Sequence, residues 1–547
     1  MENHQLSPPK GGWKSAIFII FVEMAERFAY YGIAGNMMMY LTKVMEEPVA
    51  TAAKNVNSWN GVSSLALFIG AFFADSFLGR FNTTLISSSV FLMGLMLLTI
   101  STTTTIPQHA RTALFFSALY ITALGEGGHK PCVQTFAADQ FDENTPEQRK
   151  AKSSFFNWWY LGIVVGATIA VLVVVYVEDN ISWTVGFAIP TLAVGLALSI
   201  FILGSSTYRK ERPVGSPFTS VAQVVVSAIR KRHLTEMSSG RGLYYSDDDV
   251  AGHGLQVLKL APTNHFRCLD KATVIDDRDS MMKSRNGWRL CSVNQVEEVK
   301  LILRLIPIWV CTFAYAIIVA QVHTFFIKQA STMNRSIGPK FQIPPASLQV
   351  IPGIAILLCL PIYDKFLVPT FRNLTKIPSG ITSVQRIGIG IGLSILTIAT
   401  AAIVESMRLN VASKHGLIDD PKATIPISVG WLVPQFVIMG LSDMFAYVGM
   451  QELFYDQMPE DMRSMGSALT NGALGIGAFM STAIISAVQG ITSKWGNPWL
   501  VNNLNLAHLH QFYWVLAGFC ALDLVLYVFA ARCFVWNRTA HTVDPLV

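Results

Sequence analysis

The chain has 547 residues, 52% of them hydrophobic and 14% charged, with 41 Lys and Arg against 35 Asp and Glu for a formal net charge of +6. A mean hydropathy of +0.42 excludes an ordinary soluble domain, and so modest a charge does not call for nucleic acid as a partner. The seven cysteines are scattered without a CxxC pair or metal-ligand spacing, and no P-loop or Ser/His/Asp constellation stands at catalytic spacing, so neither an enzyme nor a bound cofactor is expected.

Apolar stretches long enough to cross a bilayer begin near residues 15, 59, 84, 112, 153 and 182, and again near 298, 343, 381, 425, 464 and 508. The expected organisation is a cytosolic N-terminus over 1–14, a six-helix bundle over 15–205, a polar linker over 206–297, a second six-helix bundle over 298–533 and a tail over 534–547. "MENHQLSPPKGGWK" leads into a full-length apolar helix with no small-residue cleavage site, so the first helix is expected to stay in the mature protein. Lys and Arg gather in the loops on the linker's side, which places the linker and both termini in the cytosol. The fold class expected is an all-α membrane protein of twelve transmembrane helices, organised as are transporters whose two halves rock about a central site.

The first helix contains "FVEMAERFAYYG", residues 21–32. Each ionised group at mid-bilayer costs about 2.5 to 3.5 kcal/mol on insertion scales, so three charges here need a reason. Helical periodicity puts Glu23, Glu26, Arg27 and Tyr30 on one face. Either that face lines the space between bundles, or the charges end a short segment lying at the membrane surface. Two carboxylates beside one guanidinium carry net charge −1 when all are ionised, and one proton neutralises them, which suits a site that carries a proton.

After the second helix comes "GAFFADSFLGR", with Gly70, Asp75, Gly79 and Arg80, and after the eighth "LPIYDKFLVP", with Asp364 and Lys365 in the equivalent place. Glycine permits a tight turn, while acid and base fasten neighbouring helix ends, as a cytosolic gate requires. The first copy resembles the turn pattern of the major facilitator superfamily, whose fold is two six-helix bundles.

The fourth helix carries "LGEGGHKPCVQTFAADQFD", with Lys130 inside the apolar region, and the tenth carries "IMGLSDMFAYVGMQELFYD", with Asp443 at matching depth. A salt bridge between them would either join the bundles in one state and break in the other, or clamp helices permanently. Glu126 and His129 are weaker candidates, near the same glycine-rich turn. Of the aromatic and polar groups, Tyr30, Tyr31, Trp159, Tyr315, Gln321 and Tyr447 are candidates for a substrate pocket, against packing or an interfacial belt. In the linker, "FTSVAQVVVSAIRKRH" reads either as a lateral helix under the bundles or as an irregular connector.

Several segments together resemble the plant nitrate/peptide transporter family, the plant branch of the proton-coupled oligopeptide transporters. They are Glu23, Glu26 and Arg27 as "ExxER", "GGHKPC", "FAADQFD", "SSFFNWWYLGIVVG", the linker's "TNHFRCLDKA" and "QRIGIGIG". The resemblance runs from about residue 10 to 535. It implies that Glu23, Glu26 and Arg27 couple transport to protons and that Lys130 pairs with an acid of the tenth helix. Asp443 stands where most members have glutamate. The histidine with which the family's best-studied nitrate carrier binds its anion is replaced here by Val319, and His323 lies about one turn further on.

The function expected is a symporter, driven by the proton gradient, of a small anionic or polar organic solute, a peptide or nitrate. The chain is expected to act as a monomer in the plasma or vacuolar membrane, with bilayer lipid, protons and a small-molecule substrate as partners. A ligand sensor with little or no transport is the alternative.

Overall fold

The computed structural model describes residues 11–103, 107–141, 146–210, 217–233, 244, 263, 265–276, 279, 286–339, 341–375, 381–458, 463–496 and 498–534. Among them the first six passes are Trp13–Lys43, Val49–Phe73, Gly79–Ser101, Gln108–Ala138, Pro146–Ile169 continued by Val175–Asn180, and Trp183–Leu203. The second six are Val293–Cys311 continued by Phe313–Val322 and Phe325–Ser331, Val350–Ile362 continued by Val368–Thr375, Ser383–Lys414, Val433–Asp456, Arg463–Lys494 and Leu509–Cys533. The protein is thus an all-α membrane protein of twelve passes in two bundles.

Among the described residues, helix length and composition mark eight stretches and one bent pair, Val293–Cys311 with Phe313–Ser331, as able to cross a membrane. One stretch, Val49–Ser101, has 53 residues. At 1.5 Å per residue it would be about 80 Å of helix against a hydrocarbon core of about 30 Å, so it must be two passes. Gly79, at φ 73°, reverses the chain between them. The first and fourth passes fall outside that marking because they carry the charged residues of the candidate site. The second pass also starts at Val49, well before its apolar window near 59, since Lys54, Asn55 and Asn57 interrupt the pattern.

The repeat seen in sequence has a structural counterpart. "ADSFL" and "YDKFL" each form one π-helical turn, Ala74–Leu78 and Tyr363–Leu367, at the end of the second pass and within the eighth. A π-turn inserts one residue into the helical register and re-aims the chain that follows. The outer faces of the bundles are apolar, with Leu192, Leu203, Leu358, Leu522 and Phe529 exposed, as a lipid-facing surface requires.

Hydrogen bonds cross between the bundles toward the end away from the linker. The first pass begins beside the linker, where Ser15 donates to the Thr207 carbonyl at 2.9 Å, so its Lys43 end lies on the far side. There Gln349 donates to the Gly35 carbonyl at 2.7 Å and accepts from His323 Nδ1 at 2.6 Å, while Ser347 donates to the Val171 carbonyl at 3.2 Å. Lys54 also reaches Gln489 at 3.1 Å. Deeper in, Asn57 and Gln321 both donate to the Ser481 hydroxyl, at 3.1 and 3.0 Å.

The described part of the linker is a small clasp on the seventh pass. Pro217–Arg230 is a helix whose Val224 and Ala228 pack with Leu269, Ala272, Cys291, Val296 and Val299. Lys231 binds Asp279 at 2.6 Å, and Arg289 binds Asp276 and Asp279 at 2.8 and 3.2 Å. The seventh pass starts at Val293, ahead of the boundary expected at 298, because Ser292 and Gln295 form a capping box and the first turn packs into this clasp. The linker meets the first bundle at its start, where Tyr208 packs on Phe136 and Phe201 and the Arg209 N–H donates to Gln140, and again through the edge contact of Phe218 on Phe68, at 6.0 Å. Cys132, Cys291, Cys311 and Cys520 are buried thiols, whereas Cys268 and Cys533 are exposed.

Candidate functional site

The first pass brings its charges together through i,i+4 spacing. Arg27 Nε donates to Glu23 Oε1 at 2.7 Å and lies 3.4 Å from Glu26 Oε2. Both glutamates are 2% exposed. Glu23 Oε2 and both carboxylate oxygens of Glu26 have no hydrogen-bond partner. A buried polar atom left unsatisfied costs about 1 to 3 kcal/mol, so the ion pair with Arg27 leaves this group with unfilled hydrogen-bonding capacity.

The fourth pass meets this group because glycine removes the side chains that would hold it off. A Cβ on Gly127 would strike Ala66 of the second pass, and one on Gly70 would strike the Gly127 and Gly128 backbone. That close approach turns Glu126, His129 and Lys130 toward the first pass. The Lys130 ammonium pairs with Glu126, one turn back on its own helix, and stands 4.0 Å above the Tyr30 ring. Tyr30 donates to Asn60 at 3.2 Å and stacks on Trp59 at 5.6 Å, with Tyr31 against its edge at 5.3 Å.

In the facing bundle the Tyr315 hydroxyl donates to Asp443 Oδ1 at 2.5 Å, and Tyr447 reaches Asn471 at 3.5 Å. Lys130 and Asp443 are therefore not paired in this arrangement, which does not show the permanent clamp and leaves a bridge confined to another state untouched. Each instead has a partner within its own bundle, which a short aspartate beside a tyrosine hydroxyl can find without crossing the gap. Two pocket candidates are also placed elsewhere. Trp159, 4% exposed, packs on Phe155 in a cluster with Phe141, because the start of the fifth pass lies against the start of the first. Gln321 is fully buried, its amide nitrogen donating to the Ile317 carbonyl and to the Ser481 hydroxyl that Asn57 also reaches, so it knots helices where the bundles touch.

At the linker-side turns, Arg80 donates to Asp139 at 2.5 Å and so ties the start of the third pass to the end of the fourth. Asp75 lies in the π-turn just before Gly79. In the second copy Lys365 is exposed, and the Asp364 side chain lies outside the described residues. The base that does the equivalent fastening is Arg386, which sequence reasoning passed over. It binds Glu452 at 3.1 Å and the Met444 carbonyl at 3.1 Å, tying the ninth pass to the tenth as Arg80 ties the third to the fourth. The signal was available in the repeat, since third and ninth, and fourth and tenth, are the matching helices. The order of the two copies hid it, because Arg386 lies within "QRIGIGIG" and not in the turn itself.

Comparison with known proteins matches the sequence profile of the POT family to residues 81–504. Among curated relatives, the Arabidopsis thaliana Protein NRT1/ PTR FAMILY 5.4 is 51% identical over 541 residues, covering 98% of this chain and 97% of that protein. Protein NRT1/ PTR FAMILY 5.10 of the same plant is 46% identical over 544 residues, covering 96% and 94%. Among solved structures, the POT family transporter PepTSo superposes with a TM-score of 0.71 at 20% identity, covering 95% of this chain and 98% of that one. An auto-inhibited POT family peptide transporter gives 0.69 at 19%, covering 95% and 97%. At such identities the two structures speak for the fold.

Proposed function

Because this chain belongs to the POT family of membrane transporters, we propose that it is a proton-coupled symporter that works by alternating access. The observation that carries this reading is the Glu23, Glu26 and Arg27 group on the first pass, whose buried carboxylates keep three oxygens without a hydrogen bond. One proton makes that group electrically neutral, so proton occupancy changes what it costs to bury it as the bundles move. A membrane potential of 100 mV contributes about 2.3 kcal/mol per charge moved, and each unit of pH gradient about 1.4 kcal/mol more. For a neutral solute one proton thus supplies about 3.7 kcal/mol, enough for accumulation of a few hundred-fold, and for a monovalent anion only the pH term remains.

The substrate is a small anionic or polar organic solute, a peptide or nitrate. Support comes from Arg27, Lys130, Tyr30, Tyr31 and Tyr447, half-buried cationic and aromatic groups of the two bundles, and from the names of the relatives. A nitrate site built on a seventh-helix histidine is not part of the reading, because Val319 stands at that position and His323 is bonded to Gln349. The linker and both termini are cytosolic, the membrane is the plasma or vacuolar membrane, and the working unit is one chain. The test is Glu26→Gln, which is expected to abolish proton-driven uptake while leaving folding and targeting intact. Wild-type proton-driven uptake in that variant would refute the reading.

A further inference from the structure

His129 is fully buried and is not used by the Glu23, Glu26 and Arg27 mechanism, yet the fold delivers its ring to that group. On one side, His129 Nδ1 and the Ser88 hydroxyl of the third pass share a hydrogen bond at 2.8 Å. On the other, Nε2 faces Glu23 Oε2 at 3.9 Å and has no hydrogen-bond partner. One ligand-capable atom each from Glu23, Glu26 and His129 lies within 4.8 Å of the others. A small cavity lined by Glu26, Ser88 and His129, and otherwise by apolar groups such as Phe91 and Val194, adjoins them.

We infer that His129 is a third proton carrier of this centre, which exchanges the transported proton with the Glu23–Glu26 pair through Nε2. This rests on the proton-coupling reading given above. The step balances: the O–H bond of a protonated carboxyl breaks and an N–H bond forms at Nε2, leaving a carboxylate and an imidazolium whose Nδ1–H donates to Ser88 Oγ. The return transfer restores carboxyl and neutral imidazole. The accepting imidazole carries its own proton on Nδ1, which donates to Ser88 Oγ before and after the transfer, so that Nε2 is the bare nitrogen that takes the proton. An imidazole beside a carboxylate, with its second nitrogen held, is the arrangement that makes histidine a proton shuttle.

Charged and polar groups face His129 from the elements packed against it. The first pass presents Glu23, Glu26 and Arg27. Its own helix adds Lys130, neutralised by Glu126. From the third pass comes Ser88, and from the sixth only the apolar Val194, Ala197 and Leu198. Substrate or bundle motion that draws Lys130 away from Glu126 therefore changes the field at Nε2 and moves the proton.

The experiment compares purified wild type, His129→Gln, Ser88→Ala and Glu26→Gln in proteoliposomes, by proton-driven uptake across a range of external pH and by substrate counterflow without a gradient. Glutamine keeps donor and acceptor atoms but cannot titrate. The expected result is that His129→Gln loses driven uptake on the order of tenfold, with a flattened pH profile, while counterflow stays within about twofold of wild type. Ser88→Ala, a smaller change that guards against misfolding of the first variant, is expected to displace the pH midpoint by about one unit. Wild-type pH profiles in both variants, with Glu26→Gln uncoupled, would overturn the role of His129 and leave proton coupling standing. An unaffected Glu26→Gln would instead fail the coupling reading itself.

Discussion

The Tyr315 hydroxyl donates to the Asp443 carboxylate across 2.5 Å, and this bond keeps the acid of the tenth pass within its own bundle. Lys130 does the same with Glu126 in the opposite bundle. The arrangement seals the end away from the linker with cross-bundle bonds and leaves the two charges that sequence would pair each holding a local partner. Exchange of these partners would be a two-state element of the kind alternating access needs.

Tyr315→Phe is accordingly expected to favour the state in which Lys130 and Asp443 meet. Losing the donor leaves a buried carboxylate short of a partner, a cost of about 1 to 3 kcal/mol, which amounts to roughly a tenfold shift in population. Fluorescence energy transfer between labels on the linker-side ends of the fourth and tenth passes checks it. An unchanged distance distribution would count against the exchange.

The Arg386–Glu452 and Arg80–Asp139 ties predict charge-swap rescue. Glu452 is 37% exposed at its side chain, so the pair contributes only about 0.5 to 1 kcal/mol. Glu452→Arg alone is expected to lower the thermal midpoint, and Arg386→Glu added to it to restore most of the loss. Additive losses in the double variant would show that the pair does not act as a unit.

Gly127→Val is expected to prevent the fourth pass from seating on the second, since its Cβ would meet Ala66. The cost of overpacking at such a contact is about 1 to 3 kcal/mol or more. Thermal stability of the purified variant and its amount in the membrane measure the effect. A variant as stable as wild type would mean that the helices separate without penalty.

The linker clasp carries a pH prediction. Burial alone would push the Asp279 carboxyl up, but the Lys231 hydrogen bond and charge, the hydrogen bond from the Asp276 backbone N–H and the Arg289 hydrogen bond together hold it below its ordinary value. A folded pKa below the unfolded one stabilises the clasp above about pH 4, and that contribution is lost as pH falls through the folded value. Limited proteolysis of the linker should therefore be flat from neutral pH down to about pH 5 and rise only below about pH 4. Asp279→Asn is expected to be cut readily at neutral pH, and resistance there would contradict the role given to this network.

Much of this was legible because bilayers impose strong rules. The twelve apolar windows, the grouped charges at Glu23, Glu26 and Arg27, and the repeated turn could all be read from periodicity and spacing. What escaped was decided by contacts between distant segments. Trp159 and Gln321 look like pocket walls in sequence, yet Phe155 and Ser481 take them into packing. Arg386 was missed because its acid, Glu452, lies 66 residues away. His129 was ranked low because nothing in "GGHKPC" says that Ser88 occupies one ring nitrogen and turns the other to Glu23. Helix ends also moved where polar residues belong to neighbouring structure, as at Val49 and Val293.

The most direct measurement is the current in voltage-clamped oocytes expressing wild type or Glu26→Gln, challenged at acidic and neutral pH with nitrate, dipeptides, hormones and plant glycosides. The account predicts that one class of compound evokes an inward current that grows on acidification and is absent in Glu26→Gln. A substrate current of equal size at both pH values, or one that survives intact in Glu26→Gln, would contradict it.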